Sequence, residues 1–304
     1  MIVSIGEPMV EFNQTRPGDP SFLQGFGGDS SNMIIAAARS GARTAYVTRV
    51  GDDEFGRMLL ELWKREGVDT RGVIVDKEAP TGVYFVTHGP KGHAFSYLRS
   101  GSAASRLRPA DLPDLKPSVV HASGISMAIS SSAADTVLAA FEAAHSSGAK
   151  VSFDSNLRLK LWPLARARAM IGAAAAMADY FFPSIEDARD LSSLNQVEEM
   201  LDWAHGLGAK IVFFKLGAEG VVVSDGAKRE RLPGLKVKSV DATGAGDCFC
   251  GAVLSRLAAG DSIWEAARYA NAAAALATTG FGAVDPLPRP DAVRSLLANS
   301  GTEP

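Results

Sequence analysis

The sequence predicts an α/β fold on a mostly parallel central sheet, with a small second β-sheet attached. Three observations point there. Apolar strand-like runs alternate with helix-like runs along most of the chain, the helices repeatedly stop at glycine, and two stretches break the rhythm with strands and turns alone. The first two features are those of βαβ units; the third marks an insertion of a different kind.

The elements follow in order. "IVSIG" opens as a buried strand, and "SSNMIIAAARSG" is a helix ended by glycine. "TAYVTRVG" is a strand, and "DEFGRMLLELWKREG" an amphipathic helix that again ends in glycine. "SVVHASG", "KVSFDSN", "ADYFFPS", "KIVFFKLG" and "GVVVSDG" are further strands, with "SAADTVLAAFEAAHSSG" a helix among them. "GLKVKSV" reads as a strand leading into "DATGAGDCFCGAVL", where a loop becomes a helix. The interruptions are "PGDPSFLQGFGG" and "TRGVIVDKEAPTGVYFVTHGPKGHAFSYLRS", the latter three short strands with "GPKG" at a hairpin tip. Residues 11–26 and 73–99 are therefore assigned to a small β lid, and 1–10, 27–72 and 100–304 to the α/β body. In open parallel sheets ligands bind beyond the carboxyl ends of strands, so functional residues are expected just after them.

Bulk properties narrow the function. The chain has 304 residues, 46% hydrophobic and 21% charged, with a net charge of −3 and mixed signs. That excludes the basic footprint of a nucleic-acid binder but leaves a small anionic ligand open. Cys248 and Cys250, two apart on a helix, point in different directions and are read as small core residues of a reducing cytoplasm. "MIVSIGEPMVEF" lacks the basic start of a signal peptide, and "AMIGAAAAMADYFF" is too short and interrupted to span a membrane. "NSGTEP" reads as a frayed end.

Chemistry concentrates in "DATGAGD". The amides of Gly244, Ala245, Gly246 and Asp247 lie at a helix start, where unpaired N–H groups and the helix dipole favour an anion. Asp247 can be a helix N-cap or a general base acting beside a bound phosphate; spacing alone leaves both open. The chain has no G-x-x-x-x-G-K-[ST] loop, no protein-kinase signature and no G-x-G-x-x-G, so a phosphotransferase here belongs to another class.

"DATGAGDCFCGA" resembles the C-terminal signature of the ribokinase-like (PfkB) carbohydrate kinases. "GGDSSN", "RVGDDEFGRMLLELWKREGVDT", "FKLGAEGVVV" and "ANAAAALATTGFGA" resemble further segments of that family, in the family's order. The resemblance implies a three-layer αβα body with a β lid, ATP and Mg²⁺ as cofactors, and phosphoryl transfer to a hydroxymethyl group. It implies Asp247 as catalytic base, with Gly244, Ala245 and Gly246 as the anion hole. Asn156, Arg158, Ser184, Lys215, Gly217, Gly220, Gly244, Gly246 and Asn271 would lie along the nucleotide. Asp241 and Thr243, with carbonyls near Ala277 and Gly282, would hold a monovalent cation such as K⁺. Where the family often has Asn-x-x-Glu, this chain has Ser184 and Asp187 with Glu186 beside it. Which acid serves Mg²⁺ is thus open, and Ser184 reads equally as a plain N-cap.

For a sugar, Gly27, Gly28 and Asn32 offer close backbone approach and an amide, although Asp29 or Ser30 could make this a capping motif instead. Tyr97 and Arg99 stand two apart on a strand and share a face, which Tyr84 of the neighbouring strand can join; such a hairpin can also simply cover a sheet. Arg158 in "FDSNLRLKLW" can grip a carboxylate or phosphate with two donors, or form a surface ion pair, while Asp154 and Asn156 can form a turn. "GEPMVEF", "TGVYF", "YLRSGSAASRL" and "FDSNLRLKLW" resemble the branch of the family that phosphorylates 2-keto-3-deoxygluconate. The implied partners are a sugar acid and ATP, with no nucleic acid or membrane, in a homo-oligomer paired through lid sheets. A kinase for a neutral sugar on the same fold, and a non-catalytic sensor of sugar acids, are the alternatives.

Overall fold

The computed structural model describes residues 1–89 and 92–300. The middle of the "GPKG" tip (90–91) and residues 301–304 of the "NSGTEP" end lie outside the described residues. From the N-terminus, β1 (Ile2–Ile5), β2 (Met9–Gln14) and β3 (Phe22–Gly27) precede α1 (Asp29–Arg39), β4 (Thr44–Gly51), α2 (Glu54–Arg65) and β5 (Asp69–Asp76). The hairpin β6 (Val83–Gly89) and β7 (Gly92–Leu98) follows. The second half runs through β8 (Val119–Ser123), α3 (Gly124–Ala128), α4 (Ser131–Ser146), β9 (Lys150–Asp154), α5 (Leu164–Met177), β10 (Tyr180–Phe182), α6 (Ile185–Ser192) and α7 (Val197–Gly206). β11 (Ile211–Lys215), β12 (Gly220–Ser224), β13 (Arg229–Pro233), α8 (Ala245–Ala258), α9 (Ile263–Ala277) and α10 (Pro290–Ser300) complete it.

The central sheet has the order β13-β12-β11-β10-β9-β8-β1-β4-β5 and is parallel except for the β11-β12 and β12-β13 pairs. Its strands alternate sides within near-continuous apolar runs, as strands covered on both faces must. Phe182 and Phe213 stack at 4.9 Å and meet Phe249 of α8 on one face, while Phe153 and Phe181 stack at 6.1 Å on the other, beside Phe141 of α4. One apolar core therefore lies under α1, α2, α8, α9 and α10, and a second under α3 to α7. This is the three-layer αβα architecture expected from the sequence.

The small sheet has the order β3-β2-β6-β7, antiparallel except for β2 and β6. Phe12 seats it on α2, edge to face with Phe55 at 5.8 Å. Two expectations differ. The lid boundary at residue 73 falls inside β5, which pairs parallel with β4 out to Asp76 and so belongs to the central sheet. The cause is local: β4, α2 and β5 form one βαβ unit, and its last strand must return to the sheet that its first strand occupies. "GLKVKSV" forms no strand. β13 ends at Pro233, and the residues that follow are largely exposed, with Val240 and Asp241 donating to the Thr278 carbonyl across a loop.

Candidate active site

The carboxyl ends of β9 and β11 meet the N-terminus of α8 through Asp154, next to Cys250, and Lys215, next to Gly246. Gly244 is the N-cap of α8, in a left-handed conformation at φ 77. A Cβ there would lie 3.0 Å from Ala283, so only glycine suits this turn. Asp247 is thus the third helical residue, with no side-chain capping bond at this terminus, which removes the N-cap reading. Its Oδ2 instead accepts a 2.8 Å hydrogen bond from Nδ2 of Asn32 in α1. Gly251 makes that contact possible: a Cβ on it would be 2.3 Å from the Met33 carbonyl, so its absence lets α1 and α8 touch. Burial, then the nearby Asp29 carboxylate, push the Asp247 carboxyl up to about 7, a value suited to a base at neutral pH. The Ala245 amide donates to the Ala242 carbonyl at 3.2 Å and is spent in the turn. Among the described residues the amides of Gly246 and Asp247 have no such acceptor and are open to an anion.

Below this terminus lies a chain of charge. Asp154 accepts from Lys215 Nζ at 2.6 Å and from Cys250 Sγ at 3.2 Å. Burial works against the Lys215 charge, but Asp154 outweighs it and holds the ammonium above the ordinary lysine value. That ammonium stands 3.5 Å from where a Gly246 Cβ would be, next to the open amides. Both cysteines are free and buried, as the sequence suggests, with Cys250 also serving Asp154. Asn156 sits at φ 27, donates its backbone amide to Asp154 at 3.1 Å in a turn, and donates its side-chain amide to Asp29 at 2.8 Å. Asp29 is therefore no cap; it faces the site from the first turn of α1, with its carboxyl raised by burial. Arg158 is exposed, donates to the Leu157 carbonyl at 2.7 Å, and makes no ion pair among the described residues.

Ser184 caps α6 by accepting from the Asp187 amide at 3.1 Å. Asp187 turns inward, 8% exposed, and accepts from Ser155 at 2.6 Å and from the Leu157 amide at 3.1 Å; burial raises its carboxyl. Glu186 is exposed, whereas Asp187 is the buried acid of the pair. Further along, Gly217 and Gly220 shape the turn after β11, and a Gly220 Cβ would meet the Leu232 carbonyl at 2.1 Å. Asn271 of α9 donates to the Pro233 carbonyl at 2.8 Å. Asp241 accepts from the amide and hydroxyl of Thr243 and from the Gly282 amide at 3.0 Å, which ties the "DAT" turn to the loop after α9; Ala277 is buried at the end of that helix.

The small sheet closes the opposite side. Tyr84 and Tyr97 are direct partners across β6 and β7, and their rings stack at 5.7 Å. The Tyr84 hydroxyl donates to Glu11, a buried acid on β2. A Gly27 Cβ would be 2.4 Å from that hydroxyl, so Gly27 makes room for Tyr84 itself. Gly28, at φ 97, lies against the Glu7 carbonyl. Tyr97 remains 43% exposed, and the Arg99 guanidinium lies 5.6 Å from its ring centroid while ion-pairing with buried Glu7. Glu7 and Glu11 carried no assignment from the sequence, Asp29 was read only as a possible cap and Asp154 only as part of a turn; all four are acids around this cleft. The available signal was an acid directly after or within an apolar strand, as in "GEPMVEF" and "VSFDSN".

Comparison with known proteins agrees with this geometry. Residues 1–290 match the pfkB family of carbohydrate kinases, and the chain belongs to that family. It is 35% identical to a 2-dehydro-3-deoxygluconokinase of Thermoproteus tenax, over 97% of this chain and 94% of that one. It is 36% identical to a fructokinase-2 of Solanum habrochaites, over 98% and 96%. Among solved structures, an E. coli protein assigned as a ribokinase II, in complex with ATP and Mg²⁺, superimposes with a TM-score of 0.90 at 26% identity, covering 98% of this chain and 99% of that one. The protein is a sugar kinase on a ribokinase-like fold. No helix of the described residues is long and apolar enough to cross a membrane.

Proposed function

We propose that this kinase transfers the γ-phosphate of ATP to the C6 hydroxyl of 2-keto-3-deoxygluconate, giving 2-keto-3-deoxy-6-phosphogluconate and ADP, as a cytoplasmic homo-oligomer. The observation that carries the transfer is Asp247, with its carboxyl raised to about 7, held by Asn32 beside the open amides of α8. Asp247 takes the proton of the C6 hydroxyl as that oxygen attacks the γ-phosphorus in line and the bond to ADP breaks. The equatorial oxygens face the open amides of Gly246 and Asp247 and the Lys215 ammonium. Lys215, Gly217, Gly220 and Asn271 flank the nucleotide, with Asn156, Arg158 and Ser184 at its phosphate end.

Asp29, Asp154, Asp187 and Asp247 meet three phosphates here, so a cation is needed for charge balance. Among the described residues no cluster of three or more His, Cys, Asp or Glu side chains could hold a metal alone. Oxygen donors of this kind would suit Mg²⁺ arriving with the ATP phosphates; Asp187 would help hold its waters, and the charge it would supply is what phosphoryl transfer needs. Asp241, Thr243 and the carbonyls near Ala277 and Gly282 suit a monovalent cation such as K⁺ by their oxygen chemistry. At the sugar end, Gly27, Gly28, Asn32, Tyr84, Tyr97 and Arg99 line the opening, with Arg99 matched to the sugar carboxylate and Arg158 to either that carboxylate or the transferring phosphate. The relative named 2-dehydro-3-deoxygluconokinase supports this substrate. Exposed Leu23 and Leu98 on the small sheet support self-association.

A second reading, a fructose kinase, is favoured by the equally similar fructokinase relatives. ADP release by the purified protein, assayed with 2-keto-3-deoxygluconate, fructose and ribose, with and without Mg²⁺ and K⁺, separates them. The keto-deoxy acid is expected to give the highest kcat/KM; a higher value with fructose moves the protein to the second reading.

A further inference from the structure

The chain passes between the body and the small sheet four times, and all four crossings meet at one residue, Glu7. Glu7, 1% exposed, sits on the first, between β1 and β2. Its backbone carbonyl lies 2.2 Å from where a Cβ of Gly28, on the second crossing, would be. Its Oε1 lies 3.3 Å from the same position on Gly82, at the third. On the fourth, Ser102 donates to Oε1 at 2.9 Å and Arg99 forms an ion pair with Oε2. The third and fourth are tied to each other, because the Ala103 amide donates to the Pro80 carbonyl at 2.8 Å. Glu7 touches none of the groups assigned to the phosphate.

We infer that Glu7 is a positioning residue for sugar binding, fixing the Arg99 guanidinium between its own carboxylate and the Tyr97 ring. The inference rests on the reading of Arg99 as a sugar contact. A guanidinium has five donors in a planar fork, so pairing one edge with Glu7 leaves other donors for a ligand. An arginine at the end of a strand otherwise pays rotamer entropy on binding; a partner that holds it in advance removes that cost. The link also ties the sugar contact to the point where the small sheet joins the body. Either partner alone would be a buried, unmatched charge.

The test is a double-mutant cycle of Arg99→Ala and Glu7→Gln, run with whichever sugar of the panel is turned over fastest. If Arg99 acts only as Glu7 holds it, Glu7→Gln raises the sugar KM about tenfold and changes the ATP KM by less than about twofold. The double variant then matches Arg99→Ala alone in kcat/KM. Arg99→Ala also melts below the double variant, because it strands the Glu7 charge. Additive losses, or a sugar KM unmoved by Glu7→Gln while Arg99→Ala raises it, overturn the inference. A sugar KM unmoved by Arg99→Ala instead removes Arg99 from the sugar site, and the inference with it. Should Glu7→Gln fail to fold, Ser102→Ala, which removes the other donor to Glu7, is expected to give a smaller rise in sugar KM that vanishes in the Arg99→Ala background; persistence there overturns the inference equally.

Discussion

The two ends of the site are built from different materials. The proposed phosphate end is backbone and buried, mutually bonded side chains on rigid elements: the α8 amides, Asp247 braced by Asn32, and Lys215 pinned to Asp154 at the end of β11. The sugar end is long side chains on a small sheet, with Tyr97 43% exposed and Arg99 held by a single ion pair. The first arrangement can take any phosphoryl group carried to it. The second is where related kinases can diverge, since its contacts change by substitution without disturbing a helix terminus. Relatives that share the family yet are named for different sugars fit this division.

The largest expected effect tests the phosphate end. Asp247→Asn removes the base, lowering kcat by roughly 10²–10⁴-fold while ATP binding by calorimetry stays near wild type. Near-normal turnover would falsify the assignment. Gly244→Ala comes next: left-handed backbone and the contact with Ala283 should cost roughly 1–3 kcal/mol of stability, seen in urea titration, together with lost turnover. Arg99→Ala belongs to the other end and should raise the sugar KM by about tenfold with little change for ATP. Equal effects on both substrates would erase the distinction drawn above.

The pH dependence separates the ends again. With Asp247 raised to about 7, kcat/KM for the sugar should fall with slope one as pH drops below that value and the base takes up its proton. Stability runs the opposite way. A carboxyl raised by folding binds its proton more tightly when folded, so its contribution is present below the unfolded value of 3.8 and is lost as pH rises through about 7. Asp247→Asn should flatten both curves in that window. The smallest effect is Ser184→Ala, which removes the α6 cap at a cost of about 1 kcal/mol, measured by thermal melting.

The fold was legible because its strands are buried on both faces and its helices stop at glycine, as at Gly41, where φ is 99 and the Ala42 amide closes back on Ala37. The small sheet was legible as an interruption, but its edge was not: β5 looks like its neighbours in sequence and is claimed by β4 only through the intervening helix. "GLKVKSV" has the alternation of a strand and no partner to pair with. At the site, Asp247 and Asn32 are 215 positions apart, and their bond depends on the helix contact that Gly251 permits. That Asp187 is buried and Glu186 exposed depends on how α6 packs, which the sequence does not show. Glu7 escaped notice because an acid after a strand reads as a solvated loop until the four crossings are seen to meet on it.

The central claim is that substrate choice resides in the small sheet while transfer resides beneath α8. The most direct measurement is the ratio of kcat/KM for 2-keto-3-deoxygluconate to that for fructose, in the wild type and in Arg99→Ala. The expected ratio is well above one in the wild type and falls toward one in the variant, with kcat for fructose preserved. A ratio unchanged by the substitution, or a kcat for fructose that collapses with it, would contradict the account.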